Sequence, residues 1–315
     1  MTPALTVFAL VAFAANSVLC RLALGQGAVD PASFTLVRLA SGAVMLVAIR
    51  AATARGAQGP AGGAGATGPR TSPWISAALG ARWISAALLF LYAAPFSFAY
   101  VSLSAGTGAL ILFACVQATM LVGAIVAGER FRWLEGLGLA IALAGLTYLV
   151  SPGLSAPSPV GSALMAIAGI SWGLYSLRGR KTADPVGDTT RNFIFAVPFA
   201  VLVSATAFAH AHISTHGILL AVGSGALASG VGYVAWYAAL RGLTRIRASV
   251  VQLLVPILAA SAGILLLGET LSLRLVLSAA LILGGVALAL AGRAPHTVSG
   301  AGVPTPRRRG SNAGS

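Results

Sequence analysis

Long apolar runs follow one another along most of this chain and limit what it can fold into. A helix of about 20 apolar residues, rising ~1.5 Å per residue, crosses the ~30 Å hydrocarbon core of a bilayer. Runs of this kind lie at residues 3–24, 31–50, 83–103, 107–127, 133–151, 160–178, 192–210, 217–240, 248–267 and 272–291. The pattern predicts an all-α polytopic membrane protein with ten transmembrane helices.

The composition supports a bilayer rather than water as the solvent of this chain. The 315 residues are 57% hydrophobic and only 8% charged, whereas about a quarter of a soluble domain is charged. The formal charge of +14 does not indicate nucleic-acid binding, because the basic residues are spread between apolar runs and form no basic face. We expect the lipid bilayer to be a partner and nucleic acid not to be one.

The positions of the basic residues predict the orientation in the membrane. With the N-terminus inside, sixteen of the twenty Lys and Arg residues fall in inner loops or in the C-terminal tail. Arg274 is the single basic residue in a predicted outer loop. This bias follows the positive-inside rule and predicts that both termini are cytoplasmic.

Two segments have no apolar periodicity. Residues 54–73 are a tract of Gly, Ala and Pro, which predicts a flexible loop because the tract has little side chain to bury. Residues 292–315 are rich in Gly, Ser, Pro and Arg, and we predict a disordered cytoplasmic tail.

A Gly-Glu pair closes an apolar run in each half of the chain. The pairs are Gly128-Glu129 and Gly268-Glu269. A carboxylate near the N-terminus of the following helix is stabilised by the helix dipole. The first interpretation of both Glu residues is therefore structural, and the alternative is a role in gating.

An Asp-Pro pair recurs earlier in each half. Asp30-Pro31 is followed by Arg38 and Asp184-Pro185 by Arg191, at nearly the same spacing. Together with the Gly-Glu pairs, this predicts two repeats of five helices. Five is an odd number, so the repeats are inverted in the membrane, as is typical of secondary transporters. The first repeat is residues 1–151 and the second is residues 152–291.

The repeat unit resembles the EamA-type domain of the drug/metabolite transporter superfamily. The similarity is strongest in "GYVAWYAALRGLTRIRASVVQLLVPILAASAGILLLGETLSLRLVLSAALILGGVAL" and extends to "SLSAGTGALILFACVQATMLVGAIVAGERF" in the first half. It covers roughly residues 5–291. The resemblance implies a ten-helix carrier of small metabolites in the bacterial inner (plasma) membrane.

We expect an alternating-access secondary transporter that exports small amphipathic metabolites such as amino acids or drug-like compounds. The alternatives are a carrier for nucleobases, sugars or cations, and a membrane scaffold or sensor that transports nothing.

Four polar side chains fall within predicted spans, where such groups are costly and often functional. They are Asn16, Arg38, Gln117 and Gln252. Arg38 has two interpretations: a counter-charge for a substrate carboxylate, or a side chain that snorkels outward and pairs with Asp30. Asn16 and Gln117 have a second interpretation as interhelical hydrogen-bonding groups.

Aromatic residues recur at helical spacing on three predicted helices. They are Tyr92, Phe96 and Tyr100 on helix 3, Trp172 and Tyr175 on helix 6, and Tyr233, Trp236 and Tyr237 on helix 8. Together with the polar side chains they predict an aromatic-walled substrate cavity. For Tyr100 and Tyr237 the alternative is the interfacial aromatic belt.

The motifs of enzyme chemistry are missing or out of context. The "GISWG" match to G-x-S-x-G lies inside an apolar helical run rather than at a strand-to-helix turn. No Walker loop or zinc motif occurs. We predict that the protein is not an enzyme and has no cofactor or metal. The sequence leaves a monomer and a homodimer open, because helices 5 and 10 carry glycines suited to close packing.

Overall fold

The computed structural model of the protein describes residues 2–57, 74–128, 133–153, 156–179, 183–243, 248 and 251–292. The described residues are almost entirely helical. The long helices are α1 Thr2–Gly25, α2 Pro31–Ala57, α3 Trp74–Ala99, α4 Ala105–Val126, α5 Trp133–Val150, α6 Pro159–Gly179, α7 Pro185–Thr206, α8 Thr215–Leu240, α9 Leu254–Leu267 and α10 Leu273–Gly292.

Eight of these helices are long and apolar enough to cross a membrane: α1, α2, α4 to α8, and α10. The apolar parts of α3 (Trp83–Ala99) and of α9 are shorter. Within the described ranges there is no β-strand, and the β-type pairing is one isolated bridge between Val29 and Ile213. The predicted all-helical membrane class is therefore confirmed, while the count of ten spans stays a prediction.

The two Asp-Pro pairs begin helices in the same way. Pro31 and Pro185 are the first residues of α2 and α7, a position where the missing N–H of proline costs nothing. Asp30 Oδ1 accepts the backbone N–H of Ser33 at 2.9 Å, and Asp184 Oδ1 accepts that of Gly187 at 2.8 Å. Both aspartates are N-caps, and each satisfies a donor that the first turn leaves free.

The two Gly-Glu pairs end helices. Gly128, with φ 80°, follows α4, and Gly268, with φ 65°, follows α9. These left-handed backbone angles favour glycine, which caps a helix C-terminus without a Cβ clash. The N–H of Glu269 closes the α9 cap by donating to the carbonyl oxygen of Gly263 at 3.1 Å. Glu129 lies outside the described residues.

Several predicted boundaries were wrong, on α2, α3 and α7 among others. Helix α2 continues to Ala57, so residues 54–57 are helical rather than part of the predicted flexible loop; residues 58–73 lie outside the described ranges. Helix α3 begins at Trp74 and ends at Ala99, before the predicted position 103. Helix α7 begins at Pro185 rather than at 192, because its N-cap is Asp184. Of the predicted disordered tail, 292–315, Gly292 is the last residue of α10, and residues 293–315 lie outside the described residues.

The middle of α8 is wound as a π-helix over Gly223–Val231. The segment is rich in glycine, alanine and serine, and it packs against α1 and α2. A Cβ at Gly225 would collide with the carbonyl oxygen of Arg38 and the hydroxyl of Ser41. Glycine is therefore needed where α8 approaches the backbone of α2.

The helices pack in a regular set of pairs. Helix α1 packs on α8 and α9, α2 on α7 and α8, α3 on α6 and α7, α4 on α6 and α9, and α5 on α10. Large apolar side chains on the outside of this assembly are exposed, among them Val7, Phe8, Trp133, Leu265 and Leu273. An apolar exterior of this kind fits lipid as the surrounding solvent.

Glycines bring α5 and α10 into backbone contact. A Cβ at Gly285 would lie 2.5 Å from the carbonyl oxygen of Gly138 and 2.6 Å from the backbone nitrogen of Ala142. A Cβ at Gly145 would lie 2.7 Å from the Cβ of Leu281. These glycines serve packing within the chain, as small residues do in membrane helix pairs. Gly284, by contrast, has open space where a Cβ would be.

Candidate functional site

Arg38 lies in the interior of the helix assembly. It is in the second turn of α2, and only 1% of its surface is exposed. Its Nη2 donates to the hydroxyl oxygen of Tyr92 at 2.9 Å, while Nη1 has no hydrogen-bond partner among the described residues. A buried donor without an acceptor is costly, and here it belongs to a charged group.

Aromatic rings surround the guanidinium group. Its central carbon is 5.3 Å from the ring centroid of Tyr92 and 4.7 Å from that of Phe96. Cation–π contacts of this geometry attract the charge to the ring faces. They stabilise the cation in the interior but leave its net charge of +1 unneutralised.

A hydrogen-bond chain joins four helices beside this cation. Asn16 of α1 donates from Nδ2 to the Tyr92 hydroxyl at 3.3 Å. Its Oδ1 accepts from the hydroxyl of Ser224, in the π-helical part of α8, at 2.5 Å. The hydroxyl oxygen of Tyr92 thus accepts from both Asn16 and Arg38. The interhelical bonds predicted as an alternative for Asn16 are present, and they lie next to Arg38.

Trp172 extends the aromatic wall from α3 to α6 and α8. Its ring centroid is 4.8 Å from that of Tyr92. The indole stacks on Tyr175 at 5.4 Å and on Tyr233 at 5.3 Å. The wall therefore contains rings from both halves of the chain.

Two further predicted residues lie at the end of this wall. Trp236 packs edge-on against Phe13 of α1, with ring centroids 5.8 Å apart. The hydroxyl of Tyr237 lies 3.2 Å from that of Thr189 on α7, in a hydrogen bond that either can donate. This contact joins the last turn of α8 to the second turn of α7, and cavity lining and the interfacial belt both stay open for Tyr237.

The structure does not bring all the predicted site residues together. Tyr100 lies just after α3 and is fully buried; its ring packs edge-on against Phe96, with centroids 4.8 Å apart, while its hydroxyl donates to the carbonyl oxygen of Ala105 at 3.3 Å. Gln117 lines a groove between α4, α5 and α10, away from Arg38. Gln252 is half-buried shortly before α9.

The predicted alternative for Arg38, outward snorkelling with an ion pair to Asp30, was wrong. Arg38 bonds to Tyr92 instead. The Asp30 carboxylate is occupied by backbone N–H groups at the start of α2 and by that of His212, whose nitrogen is 3.2 Å away. Asp30 thereby ties the loop before α8 to the start of α2.

Asn192 is a site residue that was not predicted from the sequence. This residue is buried on α7 and donates from Nδ2 to the Tyr175 hydroxyl at 3.1 Å. It follows Asp184 by eight positions, as Arg38 follows Asp30. The spacing from the Asp-Pro pair was the signal, but Arg191 drew attention because it has the same residue type as Arg38. Arg191 is partly exposed and bonds to Asp188.

A second polar cluster lies where the loop between α3 and α4 meets the turn after α9. Arg21 Nε lies 3.6 Å from Oε1 of Glu269, and its Nη1 donates to the carbonyl oxygens of Tyr100 and Val101. The N–H of Ala105, at the start of α4, donates to both carboxylate oxygens of Glu269 at 2.8 and 3.0 Å. Glu269 thus caps α4 and pairs with α1.

An ion pair also links α2 and α7. Arg50 Nη1 lies 3.3 Å from Oδ2 of Asp184. Both side chains are about half exposed, so screening keeps the contribution of the pair small.

Within the described ranges no group of three or more His, Cys, Asp and Glu side chains could hold a metal ion. The site around Arg38 instead offers a buried cation, hydroxyl and amide groups, and aromatic faces. Such a set of groups can bind a small solute with an apolar part and an anionic group.

The helices and the site define the class of the protein as a multi-pass membrane protein. The sequence model of the EamA-like transporter family matches residues 159–291. An uncharacterized protein of Pseudomonas aeruginosa is 46% identical over 289 residues, which cover 92% of this chain and 94% of that protein. The chain belongs to the EamA-like transporter family, and it is a membrane transporter.

More distant proteins agree with this assignment. An uncharacterized transporter of Archaeoglobus fulgidus is 26% identical over 59% of this chain and 68% of its own length. One of Clostridium kluyveri is 25% identical over 64% of this chain and 61% of its own length. A crystal structure that is 22% identical covers 94% of this chain and 99% of its own chain with a TM-score of 0.59, which is a likeness of fold.

Proposed function

We propose that this protein is an alternating-access carrier that exports small amphipathic metabolites from the bacterial cytoplasm. The observation that carries the proposal is the buried guanidinium of Arg38, whose Nη1 has no partner among the described residues. A carboxylate of the solute would accept from it in a charge-assisted hydrogen bond. The apolar part of the solute would lie against the rings of Tyr92, Trp172 and Tyr233.

The packing of the helices supports two inverted repeats of five spans. If α1 to α5 are exchanged for α6 to α10 in order, the pairs α2–α7 and α5–α10 are unchanged and every other contact pair described above becomes another pair of the same set. The pair α1 and α8, for example, becomes α6 and α3. The Asp-Pro and Gly-Glu pairs also fall at matching helix ends. In such repeats the substrate site lies between the halves near the bilayer midplane.

The two ion pairs are suitable gates at opposite ends of the site. Given the orientation predicted from the basic residues, the cluster of Arg21, Glu269 and Ala105 closes the outer side, and Arg50 with Asp184 closes the inner side. Each joins helices of different repeats. Alternating access requires that contacts of this kind open one side at a time.

Replacing Glu269 with Gln should open the outer side more often. The substitution removes the ionic attraction to Arg21 and weakens the cap on α4. If the lost interaction is worth ~1 kcal/mol, labelling of Cys20 from the outer side should be about 5-fold faster. Cys20 is fully buried on α1. The measurement uses a membrane-impermeant maleimide in a Cys115→Ala background, which leaves Cys20 as the single cysteine.

Arg274→Gln is the matched control for this gate. Arg274, near the start of α10, donates to the carbonyl oxygens of Ser151 and Pro152, so it also joins two segments at a helix end, and neither contact involves α1 or α4. In Arg274→Gln, the rate of Cys20 labelling should equal that of the parent protein. Equal acceleration in both variants, or none in Glu269→Gln, would reject Glu269 as a gate.

The test of the carrier function is flux in proteoliposomes. Purified protein is reconstituted, and uptake and efflux of a labelled amino-acid panel are measured against protein-free liposomes. Saturable flux supports the proposal. If no amino acid is moved, organic anions, nucleobases, sugars and cations follow, and a lack of flux for all of them favours a scaffold or sensor.

A further inference from the structure

We infer that the transported solute is an organic monoanion, and that each cycle moves its negative charge across the membrane, so that the membrane potential alone drives export. The inference rests on the proposed carrier function and adds to it the charge of the solute and the driving force. It follows from the charges that surround Arg38 and from those that are distant from it.

The described carboxylates all lie at helix ends or in connecting loops. Asp30 and Asp184 cap α2 and α7, and Glu269 pairs with Arg21. Asp188 and Glu135 are in the first turns of α7 and α5. No described carboxylate is ion-paired or hydrogen-bonded to Arg38.

Among the described residues, the ionisable groups that face Arg38 are phenols and a thiol rather than carboxylates. They are the phenols of Tyr92 and Tyr233 and the thiol of Cys20. Arginine stays protonated in proteins, so this part of the protein interior has a charge of +1. A bound solute of charge −1 neutralises it, which is the most favourable state for a charge in a low dielectric.

The same charge balance disfavours an ammonium group. In an α-amino acid the ammonium and the carboxylate are attached to one carbon, so a carboxylate on Arg38 brings the ammonium close to the guanidinium. Like charges at such a distance repel strongly away from water. The rings of Tyr92 and Phe96 already face the guanidinium. We therefore expect an acid without an amine to be moved at least 10-fold faster than its amino-acid counterpart.

The direction of driven transport follows from the fixed position of the cation. When two repeats rock around a site at the midplane, the site itself moves little, so the charge moved per cycle is that of the solute. One elementary charge across about 100 mV corresponds to ~2.3 kcal/mol, or about a 50-fold ratio at equilibrium. An inside-negative potential thus drives a monoanion outward without a proton relay.

The experiment compares three solutes that share a phenyl group and differ in charge. They are 3-phenylpropionate (−1), phenylalanine (zwitterion) and phenethylamine (+1). Each is added to proteoliposomes that contain the full chain, and the leak into protein-free liposomes is subtracted. A potassium gradient with valinomycin sets the potential. We expect saturable 3-phenylpropionate uptake that an inside-positive potential accelerates several-fold and the opposite potential slows, with phenylalanine at least 10-fold slower.

Two outcomes overturn the inference and leave the carrier proposal standing. One is 3-phenylpropionate flux that does not respond to the potential. The other is a flux of phenethylamine, phenylalanine or any other amino acid that equals or exceeds the flux of 3-phenylpropionate. If no solute of any charge shows saturable flux, the carrier function fails as well.

Asn16→Asp tests the charge argument within the protein. The new carboxylate would be within reach of the Tyr92 hydroxyl that Arg38 also contacts, and would neutralise the guanidinium. We expect the ratio of 3-phenylpropionate flux to phenylalanine flux to fall at least 10-fold. Asn16→Leu has a similar size and removes the same hydrogen bonds without adding charge, so it should lower both fluxes together and change their ratio much less than Asn16→Asp does. An equal fall in both variants would reject the charge argument.

Discussion

Arg38→Gln should lower saturable transport by about 30-fold or more and make the protein more stable to heat. Truncating one partner of a buried charge pair costs about 2–5 kcal/mol of binding, and the solute would lose its counter-charge. The amide retains a donor for the Tyr92 hydroxyl. Removing an unneutralised buried charge is often neutral or stabilising, so we expect Tm to rise by about 2–4 °C, the effect of ~1 kcal/mol.

The measurement is the initial flux per reconstituted molecule, together with the thermal unfolding of the purified protein. Arg191→Gln is the matched control. Arg191 follows the Asp of its Asp-Pro pair by seven positions, and Arg38 follows its own by eight. Unlike Arg38, Arg191 is partly exposed and bonded to Asp188. Its flux should stay within about twofold of the parent. Arg38→Lys keeps the charge without the planar fork and should recover part of the flux. Parent-like flux in Arg38→Gln would refute the role of Arg38.

Gly285→Leu should sharply reduce the amount of folded protein. A leucine side chain at this position would collide with the backbone of Gly138 and Ala142 on α5. Extra methylenes in a well-packed core cost about 1–3 kcal/mol, and backbone atoms can shift less than side chains, so we expect a loss at the upper end of that range or beyond. Abundance in the membrane and Tm in detergent are the measurements.

The neighbouring glycine gives a stringent control. Gly284 is one position away on the same helix and has open space where a Cβ would be. Gly284→Leu has the same composition and hydropathy as Gly285→Leu, so its abundance and Tm should match those of the parent. If both variants fold normally, the α5–α10 contact is not needed for stability. If both fail, the cause is the loss of glycine rather than the contact.

Much of the helix layout was predictable because its signals are local. Apolar length predicted the helices, and it placed the start of α2 at Pro31 and the end of α9 at Leu267, where Asp30 and Gly268 cap them. The wrong boundaries have physical reasons. Polarity alone places the start of α7 too late, because Asp188 and Arg191 are polar yet helical. The loop predicted for residues 54–73 also starts too early, since Gly and Ala are compatible with the last turn of α2.

The candidate site was only partly predictable, because its contacts depend on how each helix is rotated about its axis. Helical spacing indicated the aromatic faces, and the structure places Tyr92 and Trp172 against each other. Spacing alone could not decide between burial and snorkelling for Arg38. It also could not show that Gln117 faces α5 and α10. In these membrane helices nearly every face is apolar, so the sequence has little signal for rotation.

The π-helical segment gives α8 a way to turn its aromatic face without tilting. A π turn closes i→i+5 hydrogen bonds and so holds more residues than an α turn. Rewinding Gly223–Val231 to α-helix would rotate the following turns about the axis of α8, which would move Tyr233 off Trp172 and Trp236 off Phe13. The aromatic wall would then open by a screw-like motion of the second half of α8. The backbone amide hydrogens of Gly223–Val231 should accordingly exchange with solvent faster than those of Gly232–Leu240.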